Sequence, residues 1–316
     1  MDFLLSFFNS LPGAFGQGLA WGIMAIGVYI TYRILDVADL TVDGSLGTGG
    51  AVCVILILNG VPVAAAMAAA VLAGMLAGAV TGLLHTACGI PAILSGILTQ
   101  LALYSINLRV MGAGTGAGKA NLPVSVDKYR LLLSARYVRA ADATNPNLVL
   151  IVAVALIIGV LYWYFGTESG CSLRATGANE AMARAQGINT NVAKVLGLAL
   201  SNGLVAFAGA LLAQYQGFSD INMGRGAIVI GLAAVIIGEV LLSRVFRNFA
   251  LKLAACVVGA IVYYMVIQVV LLAGLSTDDL KLLTALVVAL FLSVPYWKGR
   301  LSAKKGAQKK GGASRA

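Results

Sequence analysis

A chain of 316 residues that is 60% hydrophobic and only 11% charged, with a mean hydropathy of +0.92, is not composed like a soluble domain. Its net charge of +10 does not point to nucleic acid. Much of it gathers after Trp297 (Lys298, Arg300, Lys304, Lys305, Lys309, Lys310, Arg315) and in one polar loop, the pattern of cytoplasm-facing segments that also attract anionic lipids.

Apolar runs of roughly 20 residues cross a bilayer as helices, and several follow one another here. The sequence therefore reads as one all-α polytopic membrane domain over residues 1–316, with about nine transmembrane helices and no separate soluble part. Its 38 glycines suit such a body, because small residues let helices approach closely in lipid. Cys53, Cys88, Cys171 and Cys256 lack metal spacing and read as reduced structural thiols. The N-terminus has no basic stretch or small-residue cleavage site, so no removable signal peptide is expected.

Residues 1–15 read as an amphipathic lead-in lying in the membrane interface, set off from the first span (16–35) by Pro12-Gly13. Residues 36–50 follow, with Asp36, Asp39, Thr41 and Asp43 beside a glycine cluster. A solvated loop and a buried, broken or re-entrant helix both fit these residues. The three aspartates have no supporting His or Glu, and no metal is expected. The second span covers 46–58. The third, 62–84, carries Gly74, Gly78 and Gly82 in one line, a stripe that should lie against another helix, and His85 reads as its interfacial end.

The fourth span, 91–110, places Thr99, Gln100 and Asn107 within about one helical face. Uncharged hydrogen-bonding groups there suit either contacts between helices or the wall of a conduit for a zwitterionic solute. The stretch GAGTGAGKA (112–120) fails as a phosphate-binding loop. Ala113 stands where the first glycine is needed and Ala120 where a Ser or Thr should follow Lys119, so ATP hydrolysis by this chain is not expected. Residues 112–147 form the longest non-spanning stretch, expected outside. They are either a surface for a solute-binding protein or a plain connection.

After the fifth span (148–165) comes 167–191, the only long polar segment with a membrane-length apolar run on each side. It carries Glu168, Arg174, Glu180 and Arg184, strong helix formers at 180–185, and Gly170, Gly177 and Gly187, which read as turns or helix ends. A short helix pinned between two spans is a handle on which a soluble partner can push. The sixth span, 192–215, holds Ser201 and Asn202 at mid-depth, and Gly224-Arg225-Gly226 reads as a tight turn. The seventh span, 227–242, carries Glu239, expected to pair with Arg244 or Arg247 or to act as a helix-end charge. An eighth (249–272), an acidic turn (276–279), a ninth (280–297, anchored by Tyr296-Trp297) and a basic tail (298–316) complete the chain. A faint echo between residues 18–44 and 203–224 suggests inverted repeats, which place a solute path at their interface.

Gly170, Arg174, Ala175, Gly177, Asn179, Ala183, Gly187 and Ile188, in the pattern G-x-x-x-R-A-x-G-x-N-x-x-A-x-x-x-G-I, resemble the cytoplasmic loop of ABC-importer permeases. The likeness is nearest to the branched-chain amino-acid and ribose permeases, and within them to an amino-acid (tryptophan-like) subgroup. It continues through Ser201-Asn202-Gly203 to Gly238 and is echoed at residues 39–44, so it covers nearly all of the chain. Met182-Ala183 departs from the two alanines often found there.

The resemblance implies the permease subunit of a prokaryotic importer, set in the cytoplasmic membrane with its C-terminus inside. A separate ATPase carrying ATP and magnesium would grip Gly170, Arg174, Ala175, Gly177, Asn179, Glu180, Ala183, Arg184, Gly187 and Ile188. An external binding protein would deliver the solute, an amino acid, and a second permease copy would complete the pore. The path would involve Asp39, Thr41, Asp43, Thr99, Gln100, Asn107, Ser201 and Asn202. On this reading Gly177→Trp should leave insertion intact while uncoupling hydrolysis from uptake.

The alternative is an ion-coupled secondary transporter. It needs mid-membrane ionisable groups, whereas the deep spans here show amides and hydroxyls and the acids (Asp39, Asp43, Glu239) sit near ends. An intramembrane enzyme is disfavoured because His85 is the only histidine and no paired carboxylates stand out.

Overall fold

With no water to satisfy backbone polar groups, apolar runs of this length are confined to helices. A computed structural model of the protein describes residues 2–113, 117–126, 128–129, 131–138, 145–242 and 248–272, with isolated positions between 282 and 293. The helices are α1 (Asp2–Tyr29), extended by a π-helical turn (Ile30–Ile34), α2 (Thr41–Leu58), α3 (Val63–Thr86), α4 (Ala92–Met111), α5 (Pro146–Tyr164), α6 (Glu168–Ala178), α7 (Glu180–Ala185), α8 (Thr190–Gln216), α9 (Ala227–Leu242) and α10 (Phe249–Leu272). Among the described residues seven are long and apolar enough to cross a membrane, and α9, at 16 residues, is a shorter apolar helix. The chain is thus a polytopic, all-α membrane protein. The expected ninth span lies for the most part outside the described residues, and the acidic turn, Arg244, Arg247 and the basic tail lie wholly outside them.

Two boundaries differ from expectation. The helix does not break at Pro12-Gly13, so the lead-in and the first span are one helix. A proline removes a single N–H, and neighbours fasten this region: Asn147 Nδ2 donates to the Pro12 carbonyl (3.1 Å) and Tyr215 Oη to that of Gly13 (3.3 Å). The polar hinge is also shorter than expected. Only residues 35–40 are irregular, entered through Asp36 at φ +55, and α2 begins at Thr41, whose N–H is accepted by Asp39 Oδ1 at 2.9 Å.

Helices α1, α2 and α8 form a mostly buried centre, while α3, α4, α5 and α10 turn much of their apolar surface outward. The glycine stripe of α3 lies on α8 as its spacing predicts. A Cβ at Gly74 would fall on the Asn202 carbonyl, one at Gly78 on the Leu198 carbonyl, and one at Gly82 against Val195. Helices α1 and α8 run antiparallel, with Gly13 beside Tyr215 and Gly27 beside Ser201. Each is followed by a non-helical segment and then a new helix, α2 or α9, so the two units have opposite orientations.

Described residues of the long stretch after α4 pack back on the bundle. Strand β1 (Asn121–Pro123) pairs antiparallel with β2 (Phe218–Asp220), Asn121 opposite Asp220. Gln214, buried at the end of α8, accepts the Leu132 N–H at 3.0 Å and donates to Cys53 Sγ at 3.4 Å.

Candidate translocation cavity and coupling helices

The polar segment between α5 and α8 is two helices rather than the one expected at 180–185. Thr167 caps α6 through the Gly170 N–H (3.4 Å), and Glu168 sits in its first turn, where the helix dipole favours an acid. Asn179 is extended (φ −160, ψ 104), ends α6, and accepts the Met182 N–H at 3.0 Å to start α7. Gly187, at φ +82, makes the turn into α8.

Gly170 and Gly177 lie in the first and last turns of α6, and there they serve as contact faces. A Cβ at Gly170 would strike the Tyr164–Phe165 backbone, and one at Gly177 the Ile34 carbonyl and Leu35. The end of α6 is thereby seated on the junction between the first span and α2.

Three charged groups of this segment, Arg174, Glu180 and Arg184, are engaged within the chain. Arg174 Nη2 donates to the Phe165 carbonyl at 2.9 Å, and its guanidinium stands 5.9 Å from the Phe249 ring centre. Glu180 joins Arg184 (2.6 Å) through Oε1 and Lys194 (2.8 Å) through Oε2, and Thr190 also donates to it. The Lys194 hydrogen bond is the main reason its carboxyl is held below the usual carboxylate range. Ala183 is buried, so its close contact is internal. The outward surface of α7 is Ala181, Met182, Arg184 and Ala185, with Asn179 and Gly187 at its ends. Beside it a groove of about 740 Å³ runs between α6 and the start of α8, lined by Ser172, Ala175, Ile188, Asn189 and Val192.

The residues expected on a solute path divide into two groups. Asp39, Thr41, Ser201 and Asn202 are all buried in bonds between helices. Asn202 Nδ2 donates to Asp39 Oδ2 at 2.6 Å, Ser45 donates to Asn202 Oδ1 at 2.6 Å, and Ser201 donates to the Gly27 carbonyl at 2.7 Å. Thr99 closes a hydroxyl chain across three helices: Thr41 and Thr81 lie 2.7 Å apart, and Thr81 donates to Thr99 at 2.9 Å. These groups hold α1, α2, α3, α4 and α8 together.

Asp43, Gln100 and Asn107 instead share a cavity of about 310 Å³ with Tyr104, Ile221 and Arg225. Asp43 is its anchor. Its Oδ2 accepts the Gly226 N–H and its Oδ1 the Ile228 N–H, both at 2.9 Å, so a residue of α2 caps the start of α9. Asn107 is 2% exposed, and its Oδ1 has no donor. Arg225 stands over Tyr104, 5.8 Å from the ring centre.

Sequence reasoning missed Arg225 and Tyr104. Arg225 looked like the middle of a Gly-Arg-Gly turn, yet a lone cation between two apolar runs was a signal. Tyr104 follows Gln100 by four residues and precedes Asn107 by three, which puts all three on one side of α4. Asp36, Asp39 and Asp43 do not converge. Among the described residues no cluster of His, Cys, Asp or Glu is arranged to hold a metal.

Glu239, whose expected partners lie outside the described residues, forms a two-pronged ion pair with Arg33 (2.7 and 3.0 Å). This joins the last turn of the first span to α9.

The chain matches the family model of the branched-chain amino acid transport system permease component over residues 11–294. It is 40% identical over 278 residues to a tyrosine transport system permease protein of Clostridioides difficile (strain R20291), covering 88% of each chain. It is 34% identical over 287 residues to an uncharacterized protein of Rickettsia prowazekii (strain Madrid E), covering 90% of this chain and 97% of that one. A third similarity, 27% over 234 residues, is to an autoinducer 2 import system permease protein of Enterobacter sp. (strain 638), covering 74% and 64%.

Proposed function

Since the chain belongs to the permease family of branched-chain amino acid transport systems, we propose that it is the membrane-spanning subunit of an ATP-driven importer that carries an amino acid by alternating access. The observation behind the mechanism is the seating of α6 on the Ile34–Leu35 backbone through Gly177. A polar helix pair between two spans, docked on the junction where α1 gives way to α2, turns a push from outside the bilayer into movement of the buried helices.

A separate ABC ATPase, holding ATP and magnesium, docks on the exposed face of α7 and the groove between α6 and α8 on the cytoplasmic side. Arg174 and Glu180 hold the coupling helices in shape, and the exposed Met182, Arg184 and Gly187 meet the motor. At the opposite end the β1–β2 ribbon and residues 112–147 receive a solute-binding protein. A second permease copy completes the pore in the cytoplasmic membrane of a prokaryote, with the C-terminus inside and the basic tail against anionic lipid. The amino-acid cargo is supported by the named tyrosine permease relative. An ion-coupled transporter needs a carboxylate free to change partners, and Asp39, Asp43 and Glu239 are each held by two donor groups.

The test is uptake of labelled L-tyrosine and L-leucine into proteoliposomes holding the chain with its ATPase and binding protein. Accumulation should require ATP and vanish when the ATPase is omitted. Accumulation by the chain alone, abolished by an uncoupler, would favour the ion-coupled alternative.

A further inference from the structure

We infer that the cavity between α2, α4 and the 221–226 turn is a recognition site for an α-amino-acid zwitterion, with Arg225 the receptor for its carboxylate and Asn107 Oδ1 the acceptor for its ammonium group. This rests on reading the chain as a permease. Asn107 is 2% exposed, lines the cavity, and its Oδ1 accepts nothing. A buried acceptor without a donor is costly, so it marks a place where a ligand N–H belongs.

Arg225 supplies the opposite requirement. It makes no ion pair among the described residues, and its guanidinium is steadied over the Tyr104 ring. The acid that shares the cavity, Asp43, has one oxygen on the Gly226 N–H and the other on the Ile228 N–H. A cation and an unsatisfied acceptor lining one 310 Å³ space fit a small solute that bears both an anion and a donor. A neutral sugar fills the acceptor but leaves the guanidinium unmatched. Tyr104, Leu101 and Ile221 leave apolar wall for the side chain.

The full-length permease in nanodiscs carries Leu101→Cys, and alkylation at that position is followed by mass spectrometry under millimolar L-tyrosine, L-leucine, tyramine, 3-(4-hydroxyphenyl)propanoate or D-ribose. At least one of the two amino acids should slow alkylation, and where L-tyrosine does, it should do so at concentrations about tenfold lower than either of its analogues lacking one charge. Arg225→Gln should abolish protection by the amino acids.

Thermal shift of the unsubstituted chain with the same compounds is the second readout. Protection by tyramine equal to that by L-tyrosine, unchanged protection in Arg225→Gln, or protection by D-ribose alone would overturn the inference, as would no response to either amino acid in both readouts. ATP-driven uptake with no such response refutes the cavity assignment alone. Protection without uptake refutes the importer reading and leaves the cavity standing.

Discussion

Gly177 lies so close to the Ile34 carbonyl that any side chain at 177 would occupy the same space as that oxygen. The contact is backbone against helix, so no rotamer change relieves it. Gly177→Trp therefore does not spare the fold while uncoupling transport, as the sequence alone suggests; it lifts the end of α6 off the first span. Even Gly177→Ala should cost about 1–3 kcal/mol, the usual penalty of overpacking. Melting of the purified chain in detergent should fall by several degrees, and ATP-driven uptake should fall with it. An alanine variant with unchanged melting and uptake would remove α6 seating from the mechanism.

The Arg33–Glu239 pair is partly exposed, with side-chain accessibilities of 54% and 33%. Solvent screening limits such a pair to about 0–1 kcal/mol. Glu239→Gln should thus leave melting nearly unchanged. If the pair latches α9 to the first span during transport, uptake should drop in either single variant and recover when Arg33→Glu and Glu239→Arg are combined. Measuring all four proteins separates a latch, restored by the swap, from a general need for charge at either position.

The α3 stripe Gly74-Gly78-Gly82 was legible because its spacing is local and its purpose, close approach, follows from residue size alone. The amides Gln100 and Asn107 were legible for the same reason: polar groups in an apolar span need a use. Gly170 and Gly177 do fall in the end turns of α6, but their use was not legible, because a glycine that admits a neighbouring backbone and one that permits a turn look alike in sequence. Only Gly187 has the positive φ. Glu239 was given nearby arginines because its partner, Arg33, is 206 residues away, and no periodicity encodes that distance. Asp39 and Asn202, 163 residues apart, were assigned to the path because sequence records polarity but not whether a neighbour has already satisfied it.

That buried Asp39–Asn202 bond gives a third prediction. Asn202→Ala strands Asp39 Oδ2 and removes the acceptor of the Ser45 hydroxyl, both in the interior. A stranded buried group costs about 1–3 kcal/mol, more when charged. Melting should fall clearly. Asn202→Asp should be worse, because it sets a second carboxylate against the first. A variant at 202 that melts like the unsubstituted protein would show that water reaches this site.

Asp43 and the start of α9 give a fourth. Asp43→Ala leaves the Gly226 and Ile228 N–H groups without their acceptor, and loss of a cap costs about 0.5–2 kcal/mol. Hydrogen exchange should rise at residues 226–229 while the core of α8 is unaffected. Asp43→Asn keeps one acceptor oxygen and should show about half the effect. Equal exchange in all three proteins would mean that the α2–α9 junction is held by packing of Gly224 on the Asp43 backbone.

The last prediction concerns pH at the coupling helices. Glu180 is held below its usual carboxylate range, first by the Lys194 hydrogen bond and also by Thr190 and Arg184. A depressed carboxylate contributes stability that is fully present above its unfolded value and is lost as pH falls through the folded one. The docking of α7 on α8 should therefore be constant from neutral pH down to the ordinary carboxylate range and loosen only below it. Hydrogen exchange across residues 179–190 should show that acid-side rise in the unsubstituted protein. Glu180→Gln should show faster exchange already at neutral pH and no further change on acidification, because the charge that titrates is gone. Lys194→Met should move the loosening to higher pH, since the leading cause of the shift is removed while Arg184 and Thr190 remain. If acidification loosens the Gln variant as much as the parent, another group holds α7, and the Glu180 cluster is incidental to its docking.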